Sequence, residues 1–226
     1  MTNIHYYKAN TKGRDFITSD IHGYFDILHD KLKEVAFDST RDRLFCAGDL
    51  NDRGPYSVDC LDWLNEPWFI CVHSNHQQML MDAYENPYDR RAYEMLYMNG
   101  GAWYYNDLDP KLQKALYESF KSLPLAIELE TKSGKTVGIV HAEVCYNSWT
   151  KFKNATKMEI TWNVESTALW ARTRYDKQDT SIVEGVDRVY VGHSPTNSGE
   201  VEVLGNVHYI DLGSFFRGKL AMEEIL

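Results

Sequence analysis

Little in this 226-residue chain is available for cross-linking. Only four cysteines occur (Cys46, Cys60, Cys71 and Cys145) and none stands in C-x-x-C spacing. Neither a disulfide framework nor a zinc knuckle is expected, and the four read as small buried apolar residues. No apolar run approaches the roughly 18 residues that a membrane span needs, and the opening MTNIHYYKAN lacks the basic-then-apolar order of a signal peptide. A soluble, cytoplasmic protein with no membrane partner is the expectation. Positive charge is in deficit, with 24 Lys and Arg against 33 Asp and Glu for a net charge of −9. That balance argues against a broad grip on phosphate backbones, so no nucleic-acid partner is expected. Repeats, low-complexity tracts and Pro/Gly/Ser-rich linkers are missing too, which leaves one domain over 1–226 as the simplest organisation.

What the chain does contain is a globular composition, 43% apolar and 25% charged. It also repeats one grammatical unit, a short apolar run that stops at polar residues. Arg14–Ser19 runs into Asp20-Ile21-His22-Gly23, and Arg43–Ala47 into Gly48-Asp49. Trp68–Val72 runs into His73-Ser74-Asn75-His76, Thr136–Val140 into His141, and Arg188–Val191 into Gly192-His193. Each run is β-branched or aromatic and has the length of a buried strand. Helical spacing of apolar residues marks 26–36, 57–65 and 110–121, the last entered through Asp109-Pro110 and ended by Pro124. Ser133-Gly134-Lys135 reads as a tight turn between two strands. The closing segment reads as mostly strands, at 200–204, 207–211 and 219–224. This order predicts a layered α/β fold, with ligands held by loops at the carboxyl ends of the strands.

Taken singly, a histidine at a strand end is more often a satisfied structural residue than a ligand. Together, Asp20, His22, Asp49, Asn75, His141 and His193 form a mixed carboxylate, imidazole and amide-oxygen set. Such donors suit divalent Mn, Fe, Ni or Zn rather than soft thiolate chemistry. Asp52 is open to two readings, a turn-forming residue before Arg53-Gly54 or a partner for a nearby imidazole. His5, His29 and His208 have no motif around them.

The ordered set Asp20-x-His22-Gly23, Gly48-Asp49-x-x-Asp52-Arg53-Gly54, Asn75-His76, His141 and Gly192-His193 resembles the calcineurin-like metallophosphoesterases. Within them it is most similar to the bacteriophage lambda-type serine/threonine protein phosphatases. Chain length, the Asn99-Gly100-Gly101-x-Trp103 segment and the Tyr209-Ile210-Asp211-x-Gly213 ending extend the likeness over most of the sequence. The resemblance implies a central β-sandwich flanked by α-helices and a site for two divalent ions, with Mn2+ placed first and Fe, Ni or Zn as alternatives. Asp20 and His22 would hold the first ion, Asn75, His141 and His193 the second, and Asp49 would bridge them. The implied activity is direct attack on a phosphomonoester by a hydroxide shared between the metals, with phosphoserine and phosphothreonine proteins, and phosphotyrosine as an extension, as substrates. His76 would protonate the leaving oxygen and Asp52 would orient it. Arg53 and a second arginine, Arg172 with Arg174 as competitor, would grip phosphate. A sister family with the same metal core splits dinucleoside polyphosphates symmetrically, and a weakened phosphate-binding homologue is a further alternative.

One segment departs from the pattern. The family usually has Arg-Gly-Asn-His-Glu where this chain has His73-Ser74-Asn75-His76-Gln77. His73 is expected to replace the lost arginine in substrate binding only when protonated. Ser74 brings a Cβ that would strain or reshape the turn, and Gln77 loses a charge. Trp103, Tyr104 and Tyr105 read more readily as core packing than as a substrate cleft. The tyrosine-rich 84–105 stretch is the part expected to cap the site.

Overall fold

Each of the five apolar runs that stop at polar residues forms a strand in the computed structural model, which describes residues 4–157 and 162–226 and, at Trp162, the backbone alone. The first half of the chain runs β1 (Ile4–Tyr7), β2 (Asp15–Thr18), α1 (Phe25–Glu34), β3 (Arg43–Cys46), α2 (Cys60–Leu64) and β4 (Phe69–Cys71). Four helices follow, α3 (Asn75–Glu85), α4 (Arg90–Leu96), α5 (Ala102–Asn106) and α6 (Pro110–Lys121). The second half runs β5 (Ala126–Glu130), β6 (Thr136–Val140), α7 (Trp149–Ala155), α8 (Trp162–Trp170), α9 (Thr173–Asp176) and β7 (Arg188–Val191). It closes with β8 (Glu202–Leu204), β9 (Val207–Tyr209), α10 (Ser214–Arg217) and β10 (Glu223–Glu224).

The strands form two sheets, in the orders β10-β2-β3-β4 and β1-β5-β6-β7-β9-β8. Both are built around a parallel trio, β2-β3-β4 in one and β6-β7-β9 in the other. The two-residue period of a strand explains the layering. Phe16, Leu44, Cys46, Phe69 and Cys71 point outward onto Phe25, Leu28, Trp63, Leu80 and Phe120 of the helices. Their neighbours Ile17 and Phe45 point inward, onto Ile127, Leu129, Ile139 and Tyr190 of the larger sheet. The far face of that sheet packs Val140, Val189 and Val191 on Trp149, Phe152, Ala168 and Leu169. Strands covered on both faces need unbroken apolar sequence, which is why these runs show no polar alternation. The result is the expected β-sandwich flanked by helices.

Local signals act as read. Asp109 accepts the N–H groups of Lys111 and Leu112 at 2.8 and 3.0 Å and so caps α6. Gly134, at φ 77°, turns β5 into antiparallel β6. The end of the chain differs from its reading as mostly strands. Its strands are shorter, and α10 intervenes between two left-handed glycines, Gly213 and Gly218 at φ 82° and 65°. The cysteines are unpaired, with Cys46, Cys60 and Cys71 buried. Among the described residues no helix is long and apolar enough to cross a membrane.

Candidate active site

The two parallel trios bring their carboxyl ends to one place. After β2 come Asp20 and His22; after β3, Asp49, Asp52 and Arg53; after β4, Asn75 and His76 at the start of α3. From the other sheet, β6 delivers His141, β7 delivers His193 and β9 delivers Asp211. The loops hold one another through backbone bonds. His22 and Gly23 donate to the carbonyls of Asp49 and Leu50 at 2.8 Å, and Gly192 donates to His141 at 2.9 Å. The His193 N–H donates to both Asp20 carboxylate oxygens, at 3.0 and 3.1 Å, which joins the sheets.

These loops are strained. Among the described residues ten non-glycine residues have positive φ, and six of them, Asp20, His22, Asp49, Asp52, Arg53 and His193, belong to this cluster. Such backbones cost on the order of 1–3 kcal/mol each and persist only where the surroundings impose them, so the fold spends stability to aim these side chains.

Asp49 lies at the centre. Its Oδ2 is 3.5 Å from His22 Nε2, and its Oδ1 is 3.5 Å from His141 Nε2. Donor atoms converge in two groups around it, His22, Asp49 and His76 on one side and Asp49, His141 and His193 on the other. Three of the imidazoles, those of His22, His141 and His193, spend their remaining nitrogen on a backbone carbonyl. His22 Nδ1–H donates to Asn51 at 3.0 Å, His141 Nδ1–H to Ala47 at 2.8 Å, and His193 Nε2–H to Trp170 at 3.1 Å. These bonds leave a lone pair on each ring for a metal. Burial keeps the three rings neutral, holding His22 well below its ordinary value, lowering His141 as well, and taking His193 to about 3.

The carboxylates also fit a cation. Burial, then the charges of Asp211 and Asp49, push Asp20 well above the usual carboxylate range, and burial lifts Asp211 to about 6. Burial works against Asp49 too, but the positive charge that His141, His76 and His22 carry once acid protonates them outweighs it and holds that carboxyl well below its ordinary value. The committed Nδ1–H makes His141 Nε2 an acceptor, yet it faces another acceptor, the Asn75 amide oxygen, at 2.7 Å. Facing lone pairs beside a concentration of buried negative charge form a donor set for divalent metal. Asp20 stands outside both convergent groups of donors, accepting instead from the Ser19 hydroxyl and the His193 N–H.

His76 and Asp52 meet as a pair, Nδ1–H to Oδ2 at 2.6 Å. Arg53 aims its guanidinium at the same space. Nη1 is 2.8 Å from His22 Nε2 and Nη2 is 3.1 Å from His76 Nε2, with the ring of Phe215 4.3 Å below the fork. Arg172 is exposed at the start of α9, close enough for its charge to act on His141, His193 and Asp211. Its competitor Arg174 is committed elsewhere, buried and donating to the carbonyls of Asp179 and Ser181 and to the Asn147 side chain.

The altered 73–77 segment behaves differently from expectation. His73 was expected to supply a conditional positive charge to substrate. It is instead buried, its Nε2 paired with Gln78 Oε1 at 2.8 Å, and burial lowers it to about 4, so it is neutral near pH 7. Ser74 brings no strain, because its φ of −137° is extended backbone. Its hydroxyl accepts the Asp49 N–H at 3.0 Å. Gly48, at φ 106°, makes room, since a Cβ there would lie 2.6 Å from that of Ser74. Gln77 is fully buried, and neither side-chain amide atom has a partner among the described residues. Sequence reasoning gave no role to Ser74 or Asp211, although Asp211 is a polar stop after a strand like the other five.

Comparison with known proteins places the chain. The calcineurin-like phosphoesterase profile matches residues 16–218. Serine/threonine-protein phosphatase 1 of Salmonella typhimurium is 32% identical over 212 residues, 93% of this chain and 91% of that protein. The symmetrical bis(5'-nucleosyl)-tetraphosphatase of Serratia proteamaculans is 39% identical over 71 residues, 30% of this chain and 25% of that protein. The cold-active protein-tyrosine phosphatase of a psychrophilic Shewanella has the same fold, with a TM-score of 0.60 at 16% identity over 100% of this chain and 83% of that one.

Proposed function

The chain belongs to the calcineurin-like phosphoesterase family, and we propose that it is a metal-dependent serine/threonine protein phosphatase acting as one catalytic domain on phosphoproteins. The observation that carries this reading is the Asp49 carboxylate, which turns one oxygen toward His22 and the other toward His141. Asp20, His22, Asp49, Asn75, His141 and His193 hold the ions, Mn2+ foremost. Two bound divalent ions supply Lewis acidity to the phosphoryl oxygens and acidify an attacking water.

The protein's own groups do the rest. In the loaded protein Arg53 would give up its contacts with both His22 Nε2 and His76 Nε2, and its planar fork would then take phosphoryl oxygens. Arg172 adds positive charge from the rim. His76, oriented by Asp52, protonates the leaving serine or threonine oxygen. Full-length similarity to a serine/threonine-protein phosphatase supports the substrate class. A cytoplasmic setting suits the four free thiols. The second reading, symmetrical dinucleoside polyphosphate hydrolysis, draws on the 71-residue likeness to the Serratia enzyme.

Metal analysis after loading with Mn2+ is expected to find about two ions per chain, with phosphopeptide turnover that collapses by at least about 100-fold in Asp49→Asn. Preference for diadenosine tetraphosphate over a phosphoserine peptide would move the assignment to the second reading. Wild-type-like turnover by Asp49→Asn would remove the bridging carboxylate from the mechanism.

A further inference from the structure

Trp103, which reads from sequence as core packing, also reaches the chemistry. Its ring packs on the apolar core beneath α2, α3 and α6, while its indole N–H donates to Asp52 Oδ1 at 2.8 Å. The other oxygen of that carboxylate is the one that accepts the His76 Nδ1–H. Three residues earlier, the Gly100 carbonyl accepts the Arg53 N–H at 3.2 Å. Gly100 has φ 95°, and a Cβ there would lie 2.8 Å from the Arg53 nitrogen, so only glycine permits this approach. The two residues gripped in this way, Asp52 and Arg53, have φ of 70° and 69°. Side-chain-bearing residues hold that conformation only when neighbours enforce it.

We propose that Gly100–Trp103 is a clamp on the 52–53 loop and that Trp103 is a positioning residue for proton transfer, a proposal that rests on His76 being the general acid. A carboxylate bound at one oxygen can turn and present either oxygen to its partner. With Oδ1 tied to the indole, Oδ2 alone faces Nδ1. The imidazole is then fixed with Nε2 turned toward the site, 3.8 Å from Asp49 Oδ2. During hydrolysis a water oxygen forms the new bond to phosphorus. The ester P–O bond breaks, its electron pair stays on the leaving oxygen, and that oxygen takes the proton from Nε2. The proton released by water returns the imidazole to its starting state through solvent. A serine alkoxide needs that proton, whereas nitrophenolate leaves well without it.

The test compares a phosphoserine peptide with p-nitrophenyl phosphate in the Mn2+-loaded protein. Two variants remove the donor, Trp103→Phe and replacement of the indole by its benzothiophene isostere, which keeps ring size and packing and exchanges N–H for sulfur. His76→Asn is measured beside them. Peptide turnover is expected to fall roughly 10–100-fold in both Trp103 variants, with p-nitrophenyl phosphate within about threefold of wild type. In metal-free protein the His76 Nδ1 proton, assigned by its loss in His76→Asn, should broaden into exchange with water when the donor is gone. Equal losses on both substrates, or an unchanged proton resonance, overturn the clamp. If His76→Asn shows the leaving-group bias and the isostere does not, the clamp alone falls. If neither shows it, the general-acid reading falls and takes the clamp with it.

Discussion

Ser74 carries a hydroxyl where the family pattern has glycine, and its position shows how a departure at a site becomes a support. The backbone there is extended, so a Cβ costs nothing, and the hydroxyl accepts the N–H of the residue proposed to bridge the metals. Ser74→Ala leaves that buried N–H without its acceptor, a loss of about 1–3 kcal/mol that a thermal melt should register as a lower Tm. If the alanine variant melts with wild type, the bond carries no stability. The other departures are not supports of this kind. His73 is a buried neutral ring, and the compensation expected of it requires a proton it does not hold near pH 7. Most candidate ligands were legible from sequence because a strand end is a local pattern. Trp103 was not, since its partner Asp52 lies 51 residues away and nothing near either residue announces the bond.

At the scale of elements, helix α6 shows how much a short motif can specify. Asp109 and Pro110 mark its start in the sequence, and the structure places the aspartate oxygen on two first-turn N–H groups. Asp109→Ala should cost about 1 kcal/mol of stability, read as a shift in denaturation midpoint with no change in catalytic rate. An altered rate would mean that this cap communicates with the site. Strands β2, β3, β4, β6 and β7 were equally legible, because burial on both faces demands uninterrupted apolar residues. Strand β1 was missed, since its four residues are half-exposed at a sheet edge and carry little pattern. The closing helix α10 was missed for another reason. Its four residues are bounded by glycines whose left-handed backbones are settled by packing rather than by helical periodicity.

The molecule as a whole holds unfavourable groups in buried and half-buried positions, and its stability should depend on pH accordingly. His208, which no motif singles out, is lowered to about 4 by burial and then by the charge of Arg188. Its unfolded value is near 6.5, so between these limits the unfolded chain binds the extra proton. Its contribution is therefore intact above about pH 6.5, erodes as pH falls toward 4, and is flat below. Asp211 works in the opposite sense, because a carboxyl raised to about 6 favours the folded state as pH falls from there toward 4. The measurement that isolates His208 is thus a difference. Across pH 7 to 4, metal-free His208→Gln should lose less Tm than wild type, and parallel curves would refute the assignment.

The sequence by itself nominated candidate metal ligands and determined where most strands and long helices lie and that the layers are α and β. Those properties follow from side-chain chemistry and from periodicities of two and 3.6 residues, which are local. Tertiary structure decided that Asp49 faces two donor groups, that Arg174 is structural while Arg172 faces solvent near the site, that His73 is neutral, and that an indole from a distant helix holds Asp52. Each of these depends on how strands, helices and loops pack on one another, and that packing is set by the whole core at once, not by any stretch of chain.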